Sequence, residues 1–240
     1  MARRVQYQNS YVLHTRPYSE SSLLIDAFSR DYGRVSLLGK GVRRLKSKLR
    51  GMIRPFQPLL LSWSGKGELQ TLIAAESDCA IRVLDQSAWL CGYYMNELLI
   101  KLLHKYDPHE KLFDHYNDTL QLLEEGESPQ IVLRFFEKRL LKEIGYGLVL
   151  THDVKNNSPV LKDKTYRYYP DSGPIVSDNA DMDSVWIVGG STLIALENEE
   201  FADSQQIRQS KYLMRALLNQ SLQGRKLKSR SIVQKLSLIK

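Results

Sequence analysis

Thiols are scarce in this chain: Cys79 and Cys91, with eleven residues between them, are its only cysteines. That excludes a disulfide framework and any CxxC metal or redox pair, and it suits a reducing compartment. Long apolar runs are missing too. No stretch approaches the roughly eighteen consecutive apolar residues of a membrane-spanning helix, and the charged start MARRVQYQ leads into no apolar segment of signal-peptide length. The expectation is a cytoplasmic protein that is not exported.

Catalytic signatures are equally sparse. A phosphate-binding P-loop places Ser or Thr after its lysine to hold magnesium, whereas Lys40 and Lys66 are each followed by glycine. His109-Glu110 starts like a zinc-protease helix, but Phe113 stands where the second imidazole must be. Gly189-Gly190-Ser191 lacks the glycine that completes a nucleophile elbow. The five histidines, at 14, 104, 109, 115 and 152, have no carboxylate at motif spacing, and the acids at 178, 181 and 183 read as a solvated loop. The expectation is a protein that is not an enzyme and needs no cofactor or metal.

What the chain does have is segregated charge. Its 34 Lys and Arg against 27 Asp and Glu give a formal net charge of only +7, but the distribution is uneven. Residues 168 to 207 contain eight acids and no base, and residues 204 to 240 contain nine bases and no acid. The densest feature is GKGVRRLKSKLRGMIR at 39 to 54, with Lys40, Arg43, Arg44, Lys46, Lys48, Arg50 and Arg54 and no acid at all. An uncompensated field of that kind draws a polyanion, and Gly39, Gly41 and Gly51 let the backbone come close to a phosphate.

The apolar fraction of 42% is that of a globular protein. Short β-branched and aliphatic runs at 11–18, 22–29, 34–41, 58–63 and 68–75 are divided by turns, among them Ser64-Gly65-Lys66-Gly67. Five strands with no helix between them predict a small closed barrel, for which a five-stranded OB-fold is the economical choice. The basic segment then falls between the third and fourth strands, in a barrel type whose loops and open face bind nucleic acid. Tyr18, Tyr32, Phe56 and Trp63 are candidates for stacking on bases, or else for the barrel core, which would claim some of them.

Beyond residue 80 the apolar period becomes helical. Leu90, Tyr94, Leu98 and Leu102, widened by Trp89, Tyr93 and Leu99, predict a core helix over 86–106. A second follows at 109–126, and a third opens at Ser128-Pro129 and stops at Gly145, giving three packed helices. Residues 151–200 read as irregular with a few strands, 204–222 as helix, 224–231 as a basic turn and 231–239 as a short last helix. The fold class is therefore α+β: an N-terminal OB-fold barrel, a mainly α-helical region, and a small irregular C-terminal part. The expected domains are 1–80, 81–150 and 151–240.

YVLHTRPYSESSLLIDAFSRDYGRVSLLGKGVRR near the start, RPFQPLLL at 54–61, YYMNELLIKLL at 93–103, RFFEKRLLKEIGYG at 134–147 and KLKSR at 226–230 occur in an order and spacing that span the chain. In these it resembles the RecO family of recombination mediators, in the form found in gammaproteobacteria. The resemblance implies an N-terminal OB-fold and binding of single- and double-stranded DNA. It also implies annealing of strands coated by single-stranded-DNA-binding protein (SSB), and cooperation with RecR so that RecA loads, in the cytoplasm at the nucleoid. Many members carry a four-cysteine zinc site. This chain has LVLTHDVKNNSPV after Gly147 and no CxxC, so that zinc is expected to be absent.

The residues expected to contact phosphates are Arg34, Lys40, Arg43, Arg44, Lys46, Lys48 and Arg50, with Lys226, Lys228 and Arg230 as a second patch. The resemblance further implies a grip on the acidic, Phe-terminated SSB tail. The third helix suits it, with Arg134, Lys138 and Lys142 as a basic stripe and Leu133, Phe136, Leu140 and Ile144 on another side. An RNA- or ribosome-associated OB protein is the alternative, separable by preference for structured RNA over single-stranded DNA. A metal-dependent nuclease would reveal itself by magnesium-dependent cleavage.

Overall fold

The computed structural model describes residues 3–77, 80–177 and 184–237. Cys79 and the acids at 178, 181 and 183 lie outside them. By internal contacts the chain forms two compact units, one of residues 1–124 with 227–240, the other of residues 125–226. The expected spans 1–80, 81–150 and 151–240 instead divide the chain by type of element.

The first unit is built on five strands, β1 (Arg3–Tyr18), β2 (Ser22–Ser29), β3 (Gly33–Gly39), β4 (Pro58–Gly65) and β5 (Leu69–Glu76). They close in the order β1-β2-β3-β5-β4, with β4 returning to β1 and only β3 and β5 parallel. This is the OB-type barrel. Alternation drives it: along β3, Val35 and Leu37 point inward between half-exposed neighbours, and with Val12, Ile25, Leu61 and Trp63 they fill the interior. β1 is long enough to serve two neighbours because it bends, with register shifts at Val5/Gln8 against β4 and Val12/His14 against β2.

Helices α1 (Gln86–Leu102) and α2 (Glu110–Glu124) belong to this unit. Asp85 caps α1 by accepting from the Ala88 N–H at 2.7 Å. Tyr11 and Phe28 of the barrel meet Phe113 and Tyr116 of α2 at ring separations of 5.0 to 6.4 Å. A buried polar link crosses the same layer: the Tyr116 hydroxyl donates to Asn96 at 2.6 Å, and the Asn96 amide donates to the Leu13 carbonyl at 2.9 Å. Gly33 marks another close approach, with φ +65 and the Asp107 carbonyl oxygen 1.9 Å from where a Cβ would lie.

The second unit contains α3 (Pro129–Glu143), a three-stranded sheet of β6 (Thr165–Tyr169), β7 (Gly173–Val176) and β8 (Ile187–Gly189) in the order β7-β6-β8, then α4 (Gly190–Asn198) and α5 (Ser204–Ser221). The three helices expected to pack together thus divide, two with the barrel and one here. Ser128 occupies the cap position of α3 without a side-chain hydrogen bond, and Pro129 starts the helix as expected. The last helix, α6 (Lys228–Ser237), returns to the first unit. Among the described residues no helix is long and apolar enough to cross a membrane.

Candidate nucleic-acid interface

Segment 39–54 leaves β3 as a series of turns, forms a short 3₁₀ turn at Lys48–Gly51, and rejoins the barrel at Pro55. Its few apolar residues hold it: Val42 and Ile53 are buried in the barrel core and Leu49 packs against it. The Arg43 N–H donates to the Ser21 carbonyl at 2.8 Å, and the Met52 and Ile53 N–H groups both donate to the Leu49 carbonyl at 3.1 Å. With those anchors turned inward, Lys40, Arg43, Arg44, Lys46, Lys48, Arg50 and Arg54 are all exposed. Among the described residues no carboxylate pairs with any of them, and the Arg43 guanidinium donates only to the Ser19 carbonyl, at 3.2 Å. Leu45, 87% exposed, stands between Arg44 and Lys46.

Arg34 does not join this surface. It is half-buried on β3, its guanidinium donates to the carbonyl of Ile100, and burial depresses its pKa, opposed by the nearby charge of Asp26. It fastens the end of α1 to the barrel, as does the Tyr106 N–H that donates to the Arg34 carbonyl at 2.9 Å.

The second basic patch is a helix start, not the turn expected over 224–231. Glu97 of α1 accepts from the Lys228 and Ser229 N–H groups, both at 2.9 Å, and from the Ser229 hydroxyl at 2.7 Å, so a carboxylate sits on the positive end of α6. Burial works against the charged Glu97, but these bonds and Lys101 outweigh it and hold the pKa below the usual value. Lys226 and Lys228 are exposed; Arg230 is half-buried, with its guanidinium 5.7 Å over the Tyr94 ring. From Leu227 onward the KLKSR motif therefore belongs to the same compact unit as segment 39–54.

The cations of α3 are placed quite differently. Arg134 is only 6% exposed and donates to Glu137 at 2.8 Å, inside the second unit. Lys138 donates to the carbonyls of Leu196 and Glu197 at 2.9 and 3.0 Å, which end α4, and pairs with Glu199 at 3.0 Å. Arg139 pairs with the same Glu199. The exposed basic stripe expected from four-residue spacing is thus absent; of Arg134, Lys138 and Lys142, only Lys142 is exposed. Phe136 and Leu140 are core residues, and a small recess beside the end of α3 is lined instead by Leu141, Tyr146, Leu148, Tyr168, Pro170 and Leu217 together with the polar Asp171, Gln220 and Ser221.

Residues 3–78 match the family described as Recombination protein O N terminal, and residues 84–231 match Recombination protein O C terminal. The chain is similar to the DNA repair protein RecO of Azoarcus sp. (strain BH72), 45% identical over 237 residues that cover 98% of this chain and 97% of the relative. It is also similar to DNA repair protein RecO of Coxiella burnetii (strain RSA 493 / Nine Mile phase I), 41% identical with 97% and 100% covered. The same holds for that of Dechloromonas aromatica (strain RCB), 42% identical with 97% of each covered. The chain belongs to the RecO family.

With the RecO family comes a role in DNA repair and recombination. The zinc site of many RecO proteins does not fit the residues present here. In place of thiolates the loop after Leu150 has Asp153, buried, whose carboxylate accepts from the N–H groups of Lys155 at 2.8 Å and Val176 at 2.7 Å. Burial opposes that charge, but the bonds from Val176, Lys155 and Asn156 prevail and keep the pKa low, so a carboxylate ties the loop to β7. Among the described residues no group of three or more His, Cys, Asp or Glu is placed to hold a metal ion.

Of the aromatic candidates, Trp63 and Phe56 are buried and Tyr32 is half-buried edge-on to Trp63; Tyr18 alone is exposed. Trp89 and Tyr93, expected in the core, also reach solvent. A signal for that exists in the sequence: Ala88 and Gly92, the small residues of α1, mark the face that packs closely, and Trp89 and Tyr93 stand beside it.

Proposed function

We propose that this RecO protein binds DNA through segment 39–54, anneals complementary single strands, and with RecR helps RecA load on SSB-coated DNA. The observation that carries the reading is the set of exposed cations on that segment, Lys40, Arg43, Arg44, Lys46, Lys48, Arg50 and Arg54, without acidic partners among the described residues. Two strands resist pairing because their phosphates repel, and a fixed cationic surface lowers that repulsion while releasing counterions. Lys228 adds a further exposed cation on the same compact unit, and Lys226, two residues before it, is exposed as well. Arg34 and Arg230 serve mainly to hold α1 and α6 in place. No bond is broken in such a task, so the protein acts as a mediator and not as an enzyme, at the nucleoid in the cytoplasm.

The SSB tail, with its acidic residues and terminal Phe, is assigned to the end of α3. Exposed Lys142 supplies a cation there, and the recess of Leu141, Tyr146, Leu148, Tyr168, Pro170 and Leu217 supplies an apolar wall.

The test is annealing of complementary oligonucleotides precoated with SSB. Acceleration by the wild-type chain, and its loss in R43E/R44E/K46E, is the expected outcome. Failure to accelerate, or stronger binding to structured RNA than to single-stranded DNA, would overturn the reading.

A further inference from the structure

Three rings meet where the basic segment ends. Trp89 and Tyr93 stand one turn apart on α1, 5.4 Å between centroids, and remain 43% and 39% exposed. Phe56, buried, lies edge-on to both, at 5.4 Å and 85° from Trp89 and at 5.2 Å and 75° from Tyr93. The two rings of α1 are thus only partly covered, while Phe56 is buried beneath them.

The local sequence is specialised for the contact. Phe56 has φ +67, in the left-handed region that a bulky residue enters only when its surroundings force it. Gly92 faces the ring, and a Cβ there would lie 2.6 Å from Phe56 Cε1, so the helix comes this close only with glycine at 92. Phe56 follows Arg54 by two residues, and Arg50 and Arg54 are exposed. The backing of the two exposed rings is therefore supplied by a residue just beyond the segment that carries the uncompensated cations. The two acids nearest in sequence are both engaged: Asp85, the cap of α1, accepts from the Ala88 N–H at 2.7 Å and the Ser87 hydroxyl at 2.9 Å, and Glu97 accepts from the Lys228 and Ser229 N–H groups at 2.9 Å.

We propose that Trp89 and Tyr93, braced by Phe56, are a stacking platform for unpaired bases of a single strand whose phosphates lie on the end of segment 39–54. This rests on the DNA-binding reading above. Every base has a π-face, so such a platform tolerates any sequence, and flanking cations hold the backbone beside it. The 58° angle between the two rings keeps them from acting as parallel plates, so each offers its face to a base singly. A duplex keeps its bases stacked on one another and gains nothing from the rings. The platform thus favours single strands over duplex, which segment 39–54 alone, reading only phosphates, does not do.

The experiment compares oligothymidylate with a duplex of equal length in salt titrations of wild type, W89A/Y93A and W89F, with thermal melts confirming folding. In W89A/Y93A, single-strand affinity is expected to fall about five- to a hundredfold, while duplex affinity and both salt slopes stay at wild-type values. W89F retains most single-strand affinity and loses the tryptophan quenching that oligothymidylate produces in wild type. Equal loss for both DNA forms, or no loss for the single strand, would overturn the platform. Retained DNA binding with loss of RecR binding would reassign the rings to a protein partner. If wild type binds neither DNA form, the DNA-binding reading itself fails; if wild type and W89A/Y93A bind both forms alike, only the platform does.

Discussion

Segment 39–54 and helix α3 both read as basic, and their cations meet opposite fates. Those of the segment have no carboxylate among their own neighbours in sequence, and the chain is held by Val42, Leu49 and Ile53, so the charges remain in water. The cations of α3 share their unit with acids at the right places. Glu137 takes Arg134 at a spacing of three, and Glu199 is clamped between Lys138 and Arg139. Burial works against the charge of Glu199, but the bonds from Arg139 and Lys138 more than offset it and its pKa is lowered. A count of Lys and Arg therefore says little about surface potential; what decides is whether an acid of the same unit can reach them.

The sharpest way to break the contrast is to remove the most deeply committed cation. Arg134→Ala removes the cation paired with buried Glu137, and the expected cost is about 3–5 kcal/mol of stability by denaturant unfolding. Arg134→Met together with Glu137→Leu removes both charges and should recover most of that loss. An Arg134→Ala protein as stable as wild type would show that the pair is not the structural element described here.

Next in size is the anchor of α6. Glu97→Ala removes three bonds to a charged acceptor, and since hydrogen bonds to charged groups contribute about 1.5–3 kcal/mol each before relaxation, a loss of about 2 kcal/mol is expected, read as faster amide exchange at Lys228 and Ser229. The pH dependence has a definite sign. The folded pKa of Glu97 lies below its ordinary value of 4.5, so its contribution is complete above that value and is lost as pH falls through the folded pKa. Protection of Lys228 and Ser229 that persists unchanged at acidic pH would contradict the anchor.

These two sites also show what a linear sequence conceals. The barrel strands and helices α1, α2, α3 and α5 are legible because periods of two and of about 3.6 are local properties. Helix α4 is not, since Gly189 and Gly190 open it without a capping side chain and its apolar residues form no clear stripe. The basic segment is legible as charge, whereas the burial of Arg134 depends on Glu137 together with the packing of α3 on α5. Trp89 and Tyr93 look like core because their spacing is helical. Their exposure follows from Phe56, which occupies the place beside Gly92 from more than thirty residues away in sequence.

Reversal of the exposed cations should do little to stability and much to binding. For R43E/R44E/K46E the expected stability change is at most about 0.5 kcal/mol per site, while the slope of log K against log salt falls by about 2–3. A slope equal to that of wild type would take DNA off this segment, and a cost as large as that of Arg134→Ala would mean that these cations, too, are structural.

The smallest effect tests the one member of the expected α3 stripe that behaves like the basic segment. Lys142 is exposed, lies in the last turn of α3, and stands next to Leu141 on the wall of the recess. Its charge favours the negative end of the helix, which contributes about 0.3–1 kcal/mol at exposed positions, so Lys142→Ala should lower stability only by about that amount. If the SSB tail binds there, the exposed cation meets a carboxylate in water, where a pair is worth about 0.2–1 kcal/mol. The affinity of a tail peptide, measured by fluorescence anisotropy, should then fall about two- to fivefold, with naked-DNA binding and its salt slope unaltered. Asp171 also lines the recess and repels an acidic peptide, so Asp171→Asn should strengthen tail binding where Lys142→Ala weakens it. Opposite signs in the two variants would place the tail at this end of α3; wild-type affinity in both would remove it from the helix altogether, leaving the cations of α3 wholly structural.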